Sequence, residues 1–556
     1  MSRSPSRSRP DDVRLLAPGV LSAAGRRAAG ARPRSRRRFR RFALGAVLLA
    51  VSAPPHAAAA APGALAAGIA AAGPPSGDPP SAESASARAA PGEAAAATSA
   101  AERPRLLVIA IEAIPYDAAA LWTDPERTDP PLFGGLAGPV PVVSTFPSTS
   151  SLAFTGMFAP LGLPPAPGYE VRWFDRAAGR LRGGGPVSVR RRPFGWKSVF
   201  DYEIEGLGRK GIGYGWPDRY APREIDRMLA AFRASDADPF FGYLSLPDAL
   251  AHHGGPDALL PALRHLDRGL DAARAAEPRF SVVIFSDHGV AGGERLANVR
   301  RAVRRALRAA GLRVHRGLRR PGDVVLIPYG LLSSLIAFTR PGGERAAAAA
   351  LAGAPGVELC AHPAGEGRWA VLGGGGEAAI ERRADGRYRY LALTGDPLGY
   401  EPIARALARD RAGAGGDPDG GWHPAEAWLA ASLDARFPDA PRRIATGFEL
   451  VANPASVLCS LAPGHSYGSA WTELGARVSL GGLRWTHGGL RRGDSLGFVM
   501  TDLPGWTPGA RGLAFDELVP ALGLSRPAAR GARAPAGAPA RPRPAAPPAA
   551  RGRRGR

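Results

Sequence analysis

The chain has 556 residues, 45% of them hydrophobic, enough for one large α/β domain or roughly two to three smaller ones. Its formal charge of +23 would ordinarily point to a nucleic-acid or membrane partner, but the charge is unevenly spread. Roughly +10 lies before Leu106, roughly +9 after Ser525 and about +4 between, which argues against a specific nucleic-acid surface on the folded part. Lys197 and Lys210 are the only lysines, so the excess of Arg follows a compositional bias rather than a phosphate-binding design. The basic tails suit a loose electrostatic contact with anionic envelope polymers.

In chain order, Ser35 to Arg41 is a basic run, followed by the apolar stretch Phe42 to Ala53 and then Pro54 and Pro55. A basic region, about a dozen apolar residues and small residues beyond describe a cleavable export signal, here of twin-arginine type. Residues 1–60 are read as that signal region, placing the protein in the periplasm or outside the cell. The apolar run is too short for a transmembrane domain, which needs about 20 residues. Residues 61–103, rich in Ala, Pro, Gly and Ser, read as a disordered linker, and 526–556 as an Arg/Pro tail. Cys360 and Cys459 are the only cysteines; they could pair in an oxidising compartment, and they exclude a thiolate zinc site.

The folded part is expected over 104–525. Leu106 to Ile111, Phe240 to Leu246 and Ser281 to Phe285 are continuous apolar runs that suit strands buried on both faces. Pro222 to Phe232, Ala258 to Ala276 and Leu296 to Ala310 carry apolar residues three and four apart, as helices do. The alternation predicts an α/β fold, a mostly parallel central sheet between helices. Short strands such as RWAVLGG and RYRYLALTG mark 314–419 as an inserted cap subdomain.

In such a sheet, functional residues gather beyond the carboxyl ends of strands. The three apolar runs lead to Glu112, to Asp248 and to Asp287-His288. Asp248 and His252 stand four apart, so one helical turn would put both on one face. His487 lies in a Gly-rich loop before a further apolar run, Leu496 to Met500, and His465 competes with it as third ligand of the same ion. Carboxylates mixed with imidazoles suit two divalent ions, zinc with manganese as the alternative. Hydroxyls crowd Ser144 to Ser151 before a helical stretch ending in Thr155-Gly156. Taken alone they read as helix caps, but a helix start also favours a phosphoryl group, and Thr145 is the expected nucleophile.

The order of these motifs resembles the alkaline phosphatase superfamily, most closely its nucleotide pyrophosphatase/phosphodiesterase-like branch. They are an apolar strand plus acid, Thr145-Phe146-Pro147 before a helix, Pro247-Asp248-x-x-x-His252, Ser286-Asp287-His288-Gly289 and His487-Gly488. The resemblance implies Asp248, His252 and His487 on one ion and Glu112, Asp287 and His288 on the other. Thr145 would be the metal-activated nucleophile that passes through a phosphothreonine, and the substrate a small-molecule phosphate ester, diester or monoester. The chain departs from the family in two places. Glu112 stands where Asp is usual, and the stretch Pro167 to Arg172 lacks the Asn that contacts the phosphoryl oxygen, leaving Arg172 as a candidate substrate-binding residue. The sulfatase motif is absent. The alternative is a degenerate, non-catalytic member that binds a ligand or partner.

Overall fold

The computed structural model describes residues 104–184, 194–204, 212–277, 279–328, 330–412, 420–480, 482–507, 509 and 511–525. The expected signal, linker and tail regions lie outside them. Among the described residues, no helix is long and apolar enough to cross a membrane.

The central sheet has six strands: β1 (Arg105–Ile111), β2 (Ala137–Val143), β3 (Phe240–Leu244), β4 (Phe280–Ser286), β5 (Leu496–Thr501) and β6 (Leu513–Ala514). Their order is β6-β2-β5-β4-β1-β3. Strand β1 pairs parallel with both β3 and β4, whereas β5 is antiparallel to its neighbours β4 and β2. Strand β5 is therefore the one that runs against the rest. In β1, Val108 and Ala110 enter one core while Leu107, Ile109 and Ile111 enter the other. Each fully buried aliphatic side chain is worth about 1.5–3 kcal/mol, so the strand is held through both faces.

Helices α2 (Pro217–Arg233), α3 (Leu246–Gly254) and α4 (Leu260–Ala276) contribute to the core on the Leu107 face. The opposite core takes α1 (Ser150–Met157) and α5 (Ala440–Gly447). The continuous run expected to reach Leu246 stops at Leu244, because Pro247 suits the first turn of α3. The N–H groups of Ser245 and Leu246 at that helix start are taken by the buried Glu224 carboxylate, reaching across from α2.

A second, eight-stranded sheet lies further along the chain. It is not confined to the expected 314–419 insertion. Its middle strand, Val457–Leu461, pairs with Val357–Pro363 on one side and Ser334–Phe338 on the other. Phe338, Leu359 and Ala361 of this sheet share one core with Val108 and Ala110 of β1. The extra sheet is thus packed into the main core instead of capping it as a separate body.

Cys360 and Cys459 face each other across paired strands and form a disulfide spanning 99 residues of sequence. Closing so long a loop restricts the unfolded chain, and removing the bond as Cys360→Ala/Cys459→Ala should cost about 2–4 kcal/mol. Urea denaturation of the oxidised wild type against the double variant measures it; equal midpoints would mean the bond contributes nothing.

Candidate active site

Strand direction decides where the functional residues meet. Strands β1, β3 and β4 are parallel, so their carboxyl ends share one edge of the sheet. Strand β2 runs the same way and delivers Ser144 to Ser150 to that edge, while the reversed β5 brings its amino end there, preceded by His487. Five separate segments therefore converge on one place.

Helix α3 puts Asp248 and His252 on one face as their spacing predicts, with Asp248 Oδ1 3.2 Å from His252 Nε2. The same oxygen lies 3.6 Å from His487 Nε2, and these three residues form a group whose ligand atoms all lie within 4.8 Å of one another. The second group surrounds Ser150. Its Oγ donates to Glu112 Oε1 at 2.5 Å and stands 3.1 Å from His288 Nε2, which is 3.3 Å from Asp287 Oδ2. The imidazoles of His288 and His487 stack at 4.0 Å and join the two groups into one site.

The hydroxyl run resolves differently from the expectation. Thr145 is fully buried, and its Oγ1 donates to the Pro147 carbonyl at 3.0 Å. Among the described residues, no hydrogen bond joins that hydroxyl to Glu112, Asp248, Asp287 or the three histidines. Ser148 Oγ bonds to the carbonyls of Thr145 and Gly489, and Thr149 Oγ1 to that of Tyr169. Ser150, the first residue of α1, is the hydroxyl that reaches the acids. Of the run's hydroxyls, Ser150 rather than the expected Thr145 is the one hydrogen-bonded to the acidic cluster.

His465 also falls away: it sits on the strand His465–Gly468, its Nδ1 on the Pro463 carbonyl. Arg172 opens a hairpin strand, Arg172–Asp175, and lays its stem along Gly184.

The donor set fits cations. His252, His288 and His487 each place Nδ1 2.9 Å from a backbone carbonyl, of Trp485, Gly289 and Ser148 respectively. A carbonyl only accepts, so each Nδ1 carries a proton; Nε2 of His288 and of His487 presents a lone pair to the site, and Nε2 of His252 faces Asp248. Asp248 Oδ1 and Asp287 Oδ2 are buried without a hydrogen-bond partner. Lone pairs facing one another with no donor between them are costly unless a cation fills the gap.

The titration behaviour agrees. Burial pushes the Asp287 carboxyl up to about 7 and the His288 imidazole down to about 4. Burial, and then His288, hold His487 well below its usual range. At Asp248 burial opposes ionisation, but the His252 charge beside it holds the carboxyl low, and burial of His252 is likewise outweighed by Asp248, which lifts it to about 9. A cation bound there would displace that proton.

Several supporting residues carried no signal in the sequence. Tyr243 donates to Glu112 Oε2 at 2.5 Å, and Tyr214 to Asp248 Oδ2 at 3.1 Å. Ser286 Oγ accepts from the Ile114 amide, and Asp287 Oδ1 from that of Ala113, which has a left-handed φ of 66°. These bonds lock the turn after β1 to the turn after β4. Gly289 is needed for close approach, since a Cβ there would lie 2.3 Å from the Gly493 carbonyl oxygen. Glu170, beside Thr149, has its carboxyl pushed up to about 8, by burial first and then by the charges of Glu112 and Asp248.

Beneath the site lies Arg443, fully buried in α5. Its guanidinium donates to the carbonyls of Thr145, Pro438 and Leu490 and to the hydroxyls of Ser148 and Ser495. Burial lowers its pKa to about 10, leaving it a cation at neutral pH.

No protein-family model matches the chain, and no curated protein does. Among solved structures, human ectonucleotide pyrophosphatase/phosphodiesterase 5 is similar over 76% of this chain and 96% of its own, at 12% identity and a TM-score of 0.41. Phosphonoacetate hydrolase from Sinorhizobium meliloti 1021, in complex with phosphonoformate, is similar over the same shares at 12% identity and a TM-score of 0.38. At this identity and TM-score the likeness says nothing of site or activity, which rest on the chain's own geometry.

Replacing Arg443 with Met should destabilise the fold by about 3 kcal/mol or more, since several buried acceptors lose their donor together. Urea unfolding measures the loss; a change under about 1 kcal/mol would show that the acceptors find other partners.

Proposed function

We propose that the chain is an exported, metal-dependent hydrolase of phosphate esters, with Ser150 as its nucleophile, in the manner of the alkaline phosphatase superfamily its motifs resemble. The observation that carries this reading is the convergence of Glu112, Asp287 and His288 on the Ser150 hydroxyl, with Asp248, His252 and His487 joined to them through stacked imidazoles. Among the described residues, the only ionic neighbours of Asp248 and Asp287 are histidines.

Asp248, His252 and His487 would hold one divalent ion, and Glu112, Asp287 and His288 a second. The mixed oxygen and nitrogen donors suit zinc, with manganese as the alternative. Such ions supply positive charge that lowers the pKa of the hydroxyl and neutralises the phosphoryl oxygens.

The chain's own groups do the rest. Ser150 begins α1, the end of a helix that favours a phosphoryl group. Its Oγ attacks phosphorus, with its proton directed along the hydrogen bond to Glu112 Oε1. The bond from phosphorus to the leaving alkoxide breaks, the alkoxide takes a proton from water, and the hydroxide so formed takes the proton held at Glu112. Water then cleaves the phosphoserine ester, restoring the Ser150 hydroxyl and releasing the phosphate product. The substrate is a small-molecule phosphate ester, diester or monoester. The signal pattern before residue 60 and the Cys360–Cys459 disulfide support export.

Ser150→Ala should lower kcat on bis-nitrophenyl and nitrophenyl phosphate roughly a thousandfold or more while metal content stays at the wild-type level. Thr145→Val, which removes one buried hydrogen bond, should cost about 1 kcal/mol of stability and leave turnover within a few-fold. The reverse pattern would return the nucleophile to Thr145. A wild-type protein that loads metal yet cleaves neither ester would be the non-catalytic binder.

A further inference from the structure

A second concavity, of about 810 Å³, shares no residue with the catalytic cluster. It lies where the segments that follow His288 and precede His487 continue outward: Ala291–Gly292 pairs with Trp485–Thr486, and the Leu296 amide bonds to the Leu483 carbonyl. Its wall carries four guanidinium groups, from Arg295, Arg300, Arg301 and Arg477, against one carboxylate, Glu473. Glu473 is already committed to Arg477 at 2.5 Å and to the Asn298 side-chain amide at 3.2 Å. Among the described residues, no carboxylate pairs with Arg295, Arg300 or Arg301.

Arg300 is the sharpest of these. Its Nε is buried with no hydrogen-bond partner, and it is the first residue of the helix Arg300–Ala309. The first turn of that helix contains no acidic residue, and the Arg300 amide is taken by the neutral Asn298 side-chain oxygen at 3.0 Å. Helix amino ends ordinarily attract acidic groups, so positive charge is gathered here where protein stability alone would place the opposite sign. The remaining wall carries Asn298 and Ser466 beside an apolar stretch of Leu296, Leu331 and Leu483, with Leu474 half exposed at 50%. Uncompensated guanidinium groups beside an apolar wall match a ligand with paired negative charges on a small apolar body.

We propose that this cavity is an accessory binding site for a small amphipathic dianion, recognised by Arg300, Arg301 and their two neighbours and separate from the catalytic cluster.

Naphthalene disulfonate is a suitable probe because it carries two fixed charges on an apolar ring and offers no bond for the enzyme to hydrolyse. Calorimetric titration of the full-length, metal-loaded protein should give one equivalent bound, weakened by salt. The Arg300→Gln/Arg301→Gln variant should bind roughly tenfold or more weakly, with hydrolysis of bis-nitrophenyl phosphate unchanged. Should that variant fail to fold, Arg477→Gln, altered at an exposed position, should still weaken binding severalfold. No binding by the wild type, equal affinity in the folded variants, or competitive inhibition of ester hydrolysis by the probe would each overturn the proposal.

Discussion

The site depends on one buried cation, Arg443. The turn carrying Thr145 to Ser148 and the loop running from His487 to Leu490 come from parts of the chain more than three hundred residues apart, and each ends in backbone carbonyls that face the interior. The Arg443 guanidinium satisfies both sets together, donating to Thr145 and Ser148 on one side and to Leu490 and Ser495 on the other. Its charge is spread over carbonyl and hydroxyl oxygens, which accept hydrogen bonds without a carboxylate's desolvation cost. Helix α5 can come this close because of Gly447, where a Cβ would stand 2.2 Å from the Phe146 carbonyl. A rigid junction there sets the distance between Ser150 and His487.

Upon that junction the sheet acts as a collecting edge. Three parallel strands end in acidic turns, and reversal of β5 delivers the late histidine to the same side. Lateral bonds then join the turns. Ser286 and Asp287 hold the amides after Glu112, and the His487 Nδ1 donates to the Ser148 carbonyl at 2.9 Å. Because every imidazole is fixed through Nδ1, each Nε2 is held facing the cluster, as in a site built in advance of what it binds.

What the sequence revealed follows from the range of the interactions involved. Strands buried on both faces announce themselves as apolar runs, so Glu112, Asp248 and Asp287-His288 were legible from their positions after β1, β3 and β4. The i, i+4 spacing of Asp248 and His252 needed only a helical turn. The hydroxyl that reaches the acids was harder to read, because six hydroxyl residues run from Ser144 to Ser151 and a shift of a residue or two in the helix start reassigns all their contacts. Long-range pairing was not legible. Val457–Leu461 joins strands nearly a hundred residues earlier, so the boundary of the extra sheet was set too narrowly. Arg443 could not be told from the many other arginines, since its burial comes from tertiary packing.

Glu112, which stands where the resembled family usually has Asp, uses its extra length. A glutamate extends about 1.5 Å beyond an aspartate, enough to carry one carboxylate oxygen to Ser150 and the other to Tyr243. Tyr243 is wedged among Phe154, Trp196 and Phe200, with ring centroids 5.1–5.7 Å away, so its hydroxyl cannot wander. Burial, with the Glu112 charge next, raises the phenol pKa well above its usual value, which leaves Tyr243 able to donate but not to ionise. A longer acid steered by a fixed donor and seated on the Ser150 hydroxyl has its freedom removed on both sides. The extra methylene is therefore matched by packing that uses it.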